Sequence, residues 1–128
     1  MTVWTDDWVG LPYQECGRGP NSYDCLGLFV ALQRERHGRV IFDPICTVQT
    51  AMRKGFAAHE KQNWRLVGVG HPGCAILFKV RGLALHIAYA LDDTRMLHTG
   101  QDTGQSLIEA YRTTQWGDRL EGIYEYAG

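Results

Sequence analysis

No apolar run in the 128 residues approaches the ~20 that a membrane-spanning helix requires. The N-terminus, Met1-Thr2-Val3-Trp4-Thr5-Asp6-Asp7, has neither the basic nor the apolar region of a secretory leader, so no export signal is expected. Charge of one sign is missing too. Thirteen Lys and Arg stand against fourteen Asp and Glu, and they are scattered, so no basic face offers itself to nucleic acid. The four cysteines (Cys16, Cys25, Cys46, Cys74) form no CxxC pair and no regular framework, which points to reduced thiols. No Cys or His pair has the spacing of structural zinc, so no metal is implied. Repeats, low-complexity tracts and linkers are absent as well, and one domain over 1–128 is expected.

What is present reads as helices first and strands later. Val3 to Trp8 suits a short helix with Trp4 and Trp8 on one face. The best helix runs from Asp24 to His37, with Leu28, Ala31 and Leu32 on an apolar stripe and Gly38 as its stop. A second helix is expected over Thr47–His59. From Trp64 the period changes to two, predicting strands at Trp64–Val69, Cys74–Val80, Leu83–Leu91 and Arg95–Thr99. Gly104–Tyr111 reads as a short helix and Leu120–Tyr126 as a closing strand. That order is α+β, with N-terminal helices packed on a C-terminal antiparallel sheet.

The chemistry concentrates at Asn21-Ser22-Tyr23-Asp24-Cys25-Leu26-Gly27-Leu28. Asp24 is placed as a helix N-cap and Cys25 in the first turn, where backbone N–H groups and the helix dipole favour an anion. Such a setting lowers a thiol's pKa and makes it a nucleophile. His86, in the apolar strand Leu85–Leu91, is the candidate base. His98 follows twelve residues later, beyond a turn at Asp92–Thr94 that makes the two strands antiparallel neighbours, so both rings can share a face. Nucleophile, base and orienting group together have the logic of a thiol hydrolase. Taken singly, each residue has a plainer reading: a buried Cys is a small hydrophobe and a strand His is a hydrogen-bonded core residue. Cys16, Cys46 and Cys74 carry no signal beyond packing, and His37, His59 and His71 read as surface or turn residues.

The ordered set Val9-Gly10-Leu11-Pro12-Tyr13, Asp24-Cys25-Leu26-Gly27-Leu28, His86-Ile87-Ala88-Tyr89 and Met96-Leu97-His98 resembles the NlpC/p-sixty cysteine peptidases, papain-like enzymes that cleave the stem peptides of bacterial cell walls. The resemblance implies a papain-like fold, Cys25 as nucleophile, His86 as base and His98 as the residue that orients it. Tyr13 and the Cys25 backbone N–H would meet the oxyanion. Asp24 holds a free stem amine in some members, and the position of Leu26 contributes to substrate recognition. No cofactor is implied. The bond expected to break is that between γ-D-glutamate and diaminopimelate. Leu26 stands where the family has Ser, Cys74 where it has Asp, and Ala88 where it has Gly.

The D-C-L-G-L form, the M-L-H-T motif and the tail Trp116-Gly117-Asp118-Arg119-Leu120 are similar to short members in phage tails and gene-transfer particles. That branch implies a virion protein at the tail tip, with hub or baseplate proteins as partners, opening the wall locally. Two other readings stay open at this point: a structural tail component with little activity, and a cytosolic papain-like amidase or acyltransferase.

Overall fold

The computed structural model describes residues 3–43, 60–80 and 83–128, and the helix expected over Thr47–His59 lies outside them. A 3-10 helix, Trp4–Trp8, opens the chain. The Trp4 ring meets Tyr89 edge-on at 6.1 Å and Trp8 lies against Tyr23 at 6.0 Å, so this pair packs the N-terminus onto the core.

Helix α1 spans Cys25–His37. Its start follows from Asp24, whose side chain accepts the Gly27 backbone N–H at 2.7 Å. It ends at Gly38, left-handed at φ 66°, whose N–H returns to the Arg34 and Gln33 carbonyls. The helix is more buried than a single stripe requires, because Leu26, Leu28, Phe29, Ala31 and Leu32 are all sealed from water. The loop before it covers the outer side of the first turn. A Cβ on Gly27 would come within 2.0 Å of the Gly17 carbonyl oxygen, so only glycine permits that approach. Burial of each of Leu26, Leu28, Phe29 and Leu32 contributes about 1.5–3 kcal/mol. Gln33, fully buried, is satisfied: its amide donates to the Gly73 carbonyl at 2.9 Å and its oxygen accepts from Arg39.

Six strands follow among the described residues: β1 (Trp64–Val67), β2 (Ala75–Val80), β3 (Leu83–Ala90), β4 (Arg95–His98), β5 (Leu107–Ala110) and β6 (Leu120–Tyr126). They form one sheet in the order β1-β6-β2-β3-β4-β5 with every pair antiparallel. A one-turn helix, α2 (Thr114–Gly117), precedes β6. Helix α1 packs against β3 and β4, and its side chains join Ala75, Ile87, Tyr89 and Leu97 in one core layer. Ile76, Phe78, Ala88, Met96 and Ile123 make the second layer on the other face of the sheet. The fold is α+β, as the order of sequence patterns implies.

Two expectations are corrected. Gly104–Tyr111 is not a helix: Leu107–Ala110 is the edge strand β5, paired from His98↔Leu107 to Arg95↔Ala110. The helical propensity of Leu, Glu and Ala there is overridden by the hydrogen-bonding edge that β4 presents. Cys16 is not a reduced thiol but is disulfide-bonded, whereas neither Cys25 nor Cys74 is in a disulfide. Covalent pairing depends on the separation of Cα atoms in space, which spacing along a chain does not encode.

Candidate active site

Cys25, first residue of α1, lies 3% exposed at the floor of a cleft of about 260 Å³. Tyr13, His86, His98, Glu109 and Trp116 line the same cleft. The structure therefore gathers Tyr13, Cys25, His86 and His98, which come from a loop, a helix start and two strands.

The loop with Tyr13 is set by the chain's own backbone. Gly10 N–H donates to the Ser106 carbonyl, Ser106 N–H donates to that of Leu11, and Tyr13 N–H donates to that of Gly104. The buried Ser106 hydroxyl adds to this seam, donating to the Trp8 carbonyl at 2.6 Å and accepting from the Leu11 N–H. Tyr13 is thereby held half-buried beside the cleft.

Asp24 does not reach the cleft lining. Its carboxylate, 5% exposed, accepts from the Gly27 N–H, the Cys16 N–H at 3.1 Å and the Arg18 guanidinium at 2.8 Å. Arg18 also donates to both oxygens of Asp43. These acceptors raise the Arg18 pKa against the opposing effect of its burial. Leu26 is 1% exposed within the α1 core layer and does not line the cleft either.

His86 and His98 lie on one face of the sheet. The β3–β4 register, Tyr89↔Leu97 and Ala90↔Met96, sets them diagonally, and His86 Nε2 stands 2.9 Å from His98 Nδ1. The register of β2 with β3 slips between Phe78 and Lys79, beside the Phe78↔His86 pair, a bulge of the kind that re-aims a side chain. Two rings hold His86: Trp116 stacks on it at 5.6 Å and 24°, and Phe78 lies at 5.8 Å and 36°. Trp116 reaches this position because Thr113 caps α2, its hydroxyl accepting the Trp116 N–H. The same indole stands edge-on to His98 at 5.2 Å.

Sequence reasoning missed Glu109. On β5 it sits diagonally from His98, and its Oε2 lies 2.8 Å from His98 Nε2. His98 is 2% exposed, and burial lowers its pKa although the Glu109 carboxylate acts to raise it. Ser106-Leu107-Ile108-Glu109 does not alternate between polar and apolar residues, so no local periodicity marks the segment as a strand or places Glu109. In the sequence Trp116 stands out only as part of the tail motif Trp116-Gly117-Asp118-Arg119-Leu120.

Among the described residues no group of three or more His, Cys, Asp or Glu could hold a metal ion. Nor is any helix among them long and apolar enough to cross a membrane. The other histidines lie apart from the cleft lining or outside the described residues. His37 Nε2 is 2.7 Å from the Tyr89 hydroxyl, and His71 meets Glu125 at the surface.

No protein-family model matches the chain. A stretch of 53 residues, 40% of this chain, is 32% identical to 17% of the 4-hydroxy-3-methylbut-2-enyl diphosphate reductase of Vesicomyosocius okutanii subsp. Calyptogena okutanii, too little to show a fold or an activity. Solved structures show more. The NlpC/P60 family protein of Bacillus cereus superposes with a TM-score of 0.71 at 22% identity, over 96% of this chain and 38% of that one. The lipoprotein-like NLP/P60 family protein of Staphylococcus aureus gives 0.69 at 21%, over 95% and 38%. The NlpC/p60 domain of the peptidoglycan hydrolase SagA gives 0.66 at 20%, over 94% and 92%. The chain thus spans well under half of the first two proteins and nearly all of the third. Its fold is that of the NlpC/P60 domains.

Proposed function

We propose that this chain is a cysteine peptidase that hydrolyses peptidoglycan stem peptides. The observation that carries the reading is one cleft lined by a first-turn cysteine and two histidines in contact at 2.9 Å. The NlpC/P60 fold, which includes a domain of the peptidoglycan hydrolase SagA, supports the substrate class.

In this reading Cys25 attacks as the thiolate, which the first turn of α1 favours. Its sulfur bonds to the carbonyl carbon, and the carbonyl electrons move to oxygen. The Cys25 backbone N–H and the Tyr13 hydroxyl stabilise that oxyanion. His86, as imidazolium, gives its proton to the leaving amine, and the acyl–sulfur bond remains. Neutral His86 then takes a proton from water as the hydroxide attacks the thioester, and the stem carboxylate leaves Cys25. His98 orients the His86 ring. The scissile bond is the one between γ-D-glutamate and diaminopimelate. Lys79, Arg119 and Asp102 also line the cleft, charges that suit a peptide carrying both carboxylates and an amine. Asp24 serves to cap α1 and bind Arg18, so recognition of the stem's amino end falls to other groups. The tail-tip setting, with hub or baseplate partners, rests on the sequence resemblance.

Digestion of sacculi and purified stem peptides tests the reading. Wild-type protein is expected to release γ-D-glutamyl products, identified by mass spectrometry, and Cys25→Ala none. Equal inactivity of both, with the fold intact, overturns it in favour of a structural role.

A further inference from the structure

We propose that Glu109 is a positioning residue that dictates, through His98, which ring nitrogen of His86 carries the lone pair that acts on Cys25. The inference rests on the reading of Cys25 and His86 as nucleophile and base.

The argument is one of donors and acceptors. An ionised carboxylate only accepts, so the His98 Nε2 at 2.8 Å from Glu109 Oε2 must carry a hydrogen. His98 is held neutral by burial, and a neutral imidazole bears one hydrogen, so its Nδ1 is a bare acceptor. His86 Nε2, 2.9 Å from that acceptor, must then donate. Neutral His86 in turn has its lone pair on Nδ1, the nitrogen turned away from His98. Two hydrogen bonds thus transmit one instruction from an edge strand to the base.

Ring rotation offers no escape from this logic. Trp116 and Phe78 pack together on one side of His86, whose Nε2 is engaged by His98, and His98 is sealed with a partner at each ring nitrogen and Trp116 edge-on to it. With orientation held, the tautomer is the remaining variable, and a carboxylate removes that freedom. A glutamine does not, because its amide both donates and accepts and satisfies either His98 tautomer equally. Nothing in the packing requires an acid at this position. Glu109 is half-buried at the cleft, and its aliphatic part could be replaced without charge.

The experiment is ¹⁵N-histidine labelling with long-range proton–nitrogen correlation, beside the rate at which iodoacetamide alkylates Cys25. In wild-type protein the expected pattern is a hydrogen on Nε2 of both His86 and His98. Glu109→Gln is expected to mix the tautomers and slow both Cys25 alkylation and stem-peptide turnover by about 10- to 100-fold. Glu109→Asp, which keeps the acceptor, is expected to restore the Nε2 pattern and most of the rate. A wild-type His98 bearing its hydrogen on Nδ1 overturns the proposal and leaves the peptidase reading standing. So does a Glu109→Gln protein with wild-type tautomers and rates. A wild-type Cys25 that alkylates no faster than Cys74 overturns both. The first measurement needs no variant, so a Glu109 substitution that fails to fold does not shelter the idea.

Discussion

Arg18 and Asp24 are joined at 2.8 Å across the loop that precedes α1, so the residue just before Cys25 is tied to both the helix it starts and the loop that covers it. Asp24→Ala removes the acceptor of two backbone N–H groups and one of the two carboxylates that bind Arg18. The expected cost is about 2–4 kcal/mol in urea unfolding. Asp24→Asn, which keeps an acceptor for the Gly27 N–H, is expected to lose less. Equal losses in the two variants would mean that the charge on Asp24 carries the whole effect.

Gly27→Ala goes against helix propensity. In an open helix the change gains up to about 1 kcal/mol, yet here the new methyl meets the Gly17 carbonyl at 2.0 Å. A net loss of about 1–3 kcal/mol is expected, with slower alkylation of Cys25 as the first turn shifts. A variant as stable and as reactive as wild type would mean that the loop yields freely.

The described cysteines should separate cleanly in a thiol map. Cys16 is expected to label only after reduction. Cys74, fully buried and with its pKa raised by that burial, should resist until the protein unfolds. Cys25 should then dominate native labelling near neutral pH. Peptide mapping after iodoacetamide checks all three, and rapid labelling of Cys16 without reductant contradicts the disulfide.

Acid should destabilise the fold through its histidines before its carboxylates. Burial lowers the folded pKa of both His98 and His37 below the ordinary 6.5. Between that value and the lower folded ones the unfolded chain binds more protons, so stability falls as pH drops through this window and levels off below it. Urea midpoints from pH 8 to 5 read the effect. A midpoint that holds steady or rises on acidification counts against it.

Trp116 offers a paired test. Its Nε1 is buried with no hydrogen-bond partner among the described residues, so Trp116→Phe forfeits none of the described bonds and should cost less than about 1.5 kcal/mol. Trp116→Ala removes the ring stacked on His86 and should cost about 3 kcal/mol, with turnover down about 10²-fold as the base loses its aim. Equal turnover in the two variants would remove Trp116 from any part in positioning.

Helix α1 was legible because its signals are local: an Asp cap, an apolar run and a glycine stop lie within fifteen residues of one another. The β3–β4 hairpin was legible for the same reason, since a short turn between period-two runs sets the register by itself. Strand β5 was not. Gln-Ser-Leu-Ile-Glu-Ala favours a helix in isolation and becomes a strand only where β4 offers a hydrogen-bonding edge. Glu109 was lost with it, because a glutamate on a short surface helix has no reason to meet a histidine. The disulfide at Cys16 and the placing of Trp116 over two imidazoles depend on three-dimensional closure, which leaves no periodic trace in the chain.

His86, His98 and Glu109 occupy three successive strands, each two residues further along than the last. Since neighbours in a strand face opposite sides, the lengths of the connections between these strands are subject to parity. One residue gained inside β4 or β5 turns a link of the diagonal to the wrong layer, whereas two residues, or one absorbed in a turn or bulge, leave it aligned. Insertions that this sheet tolerates at its edge should therefore come in pairs or stay in the loops, a rule imposed by the polar string and not by the apolar core around it.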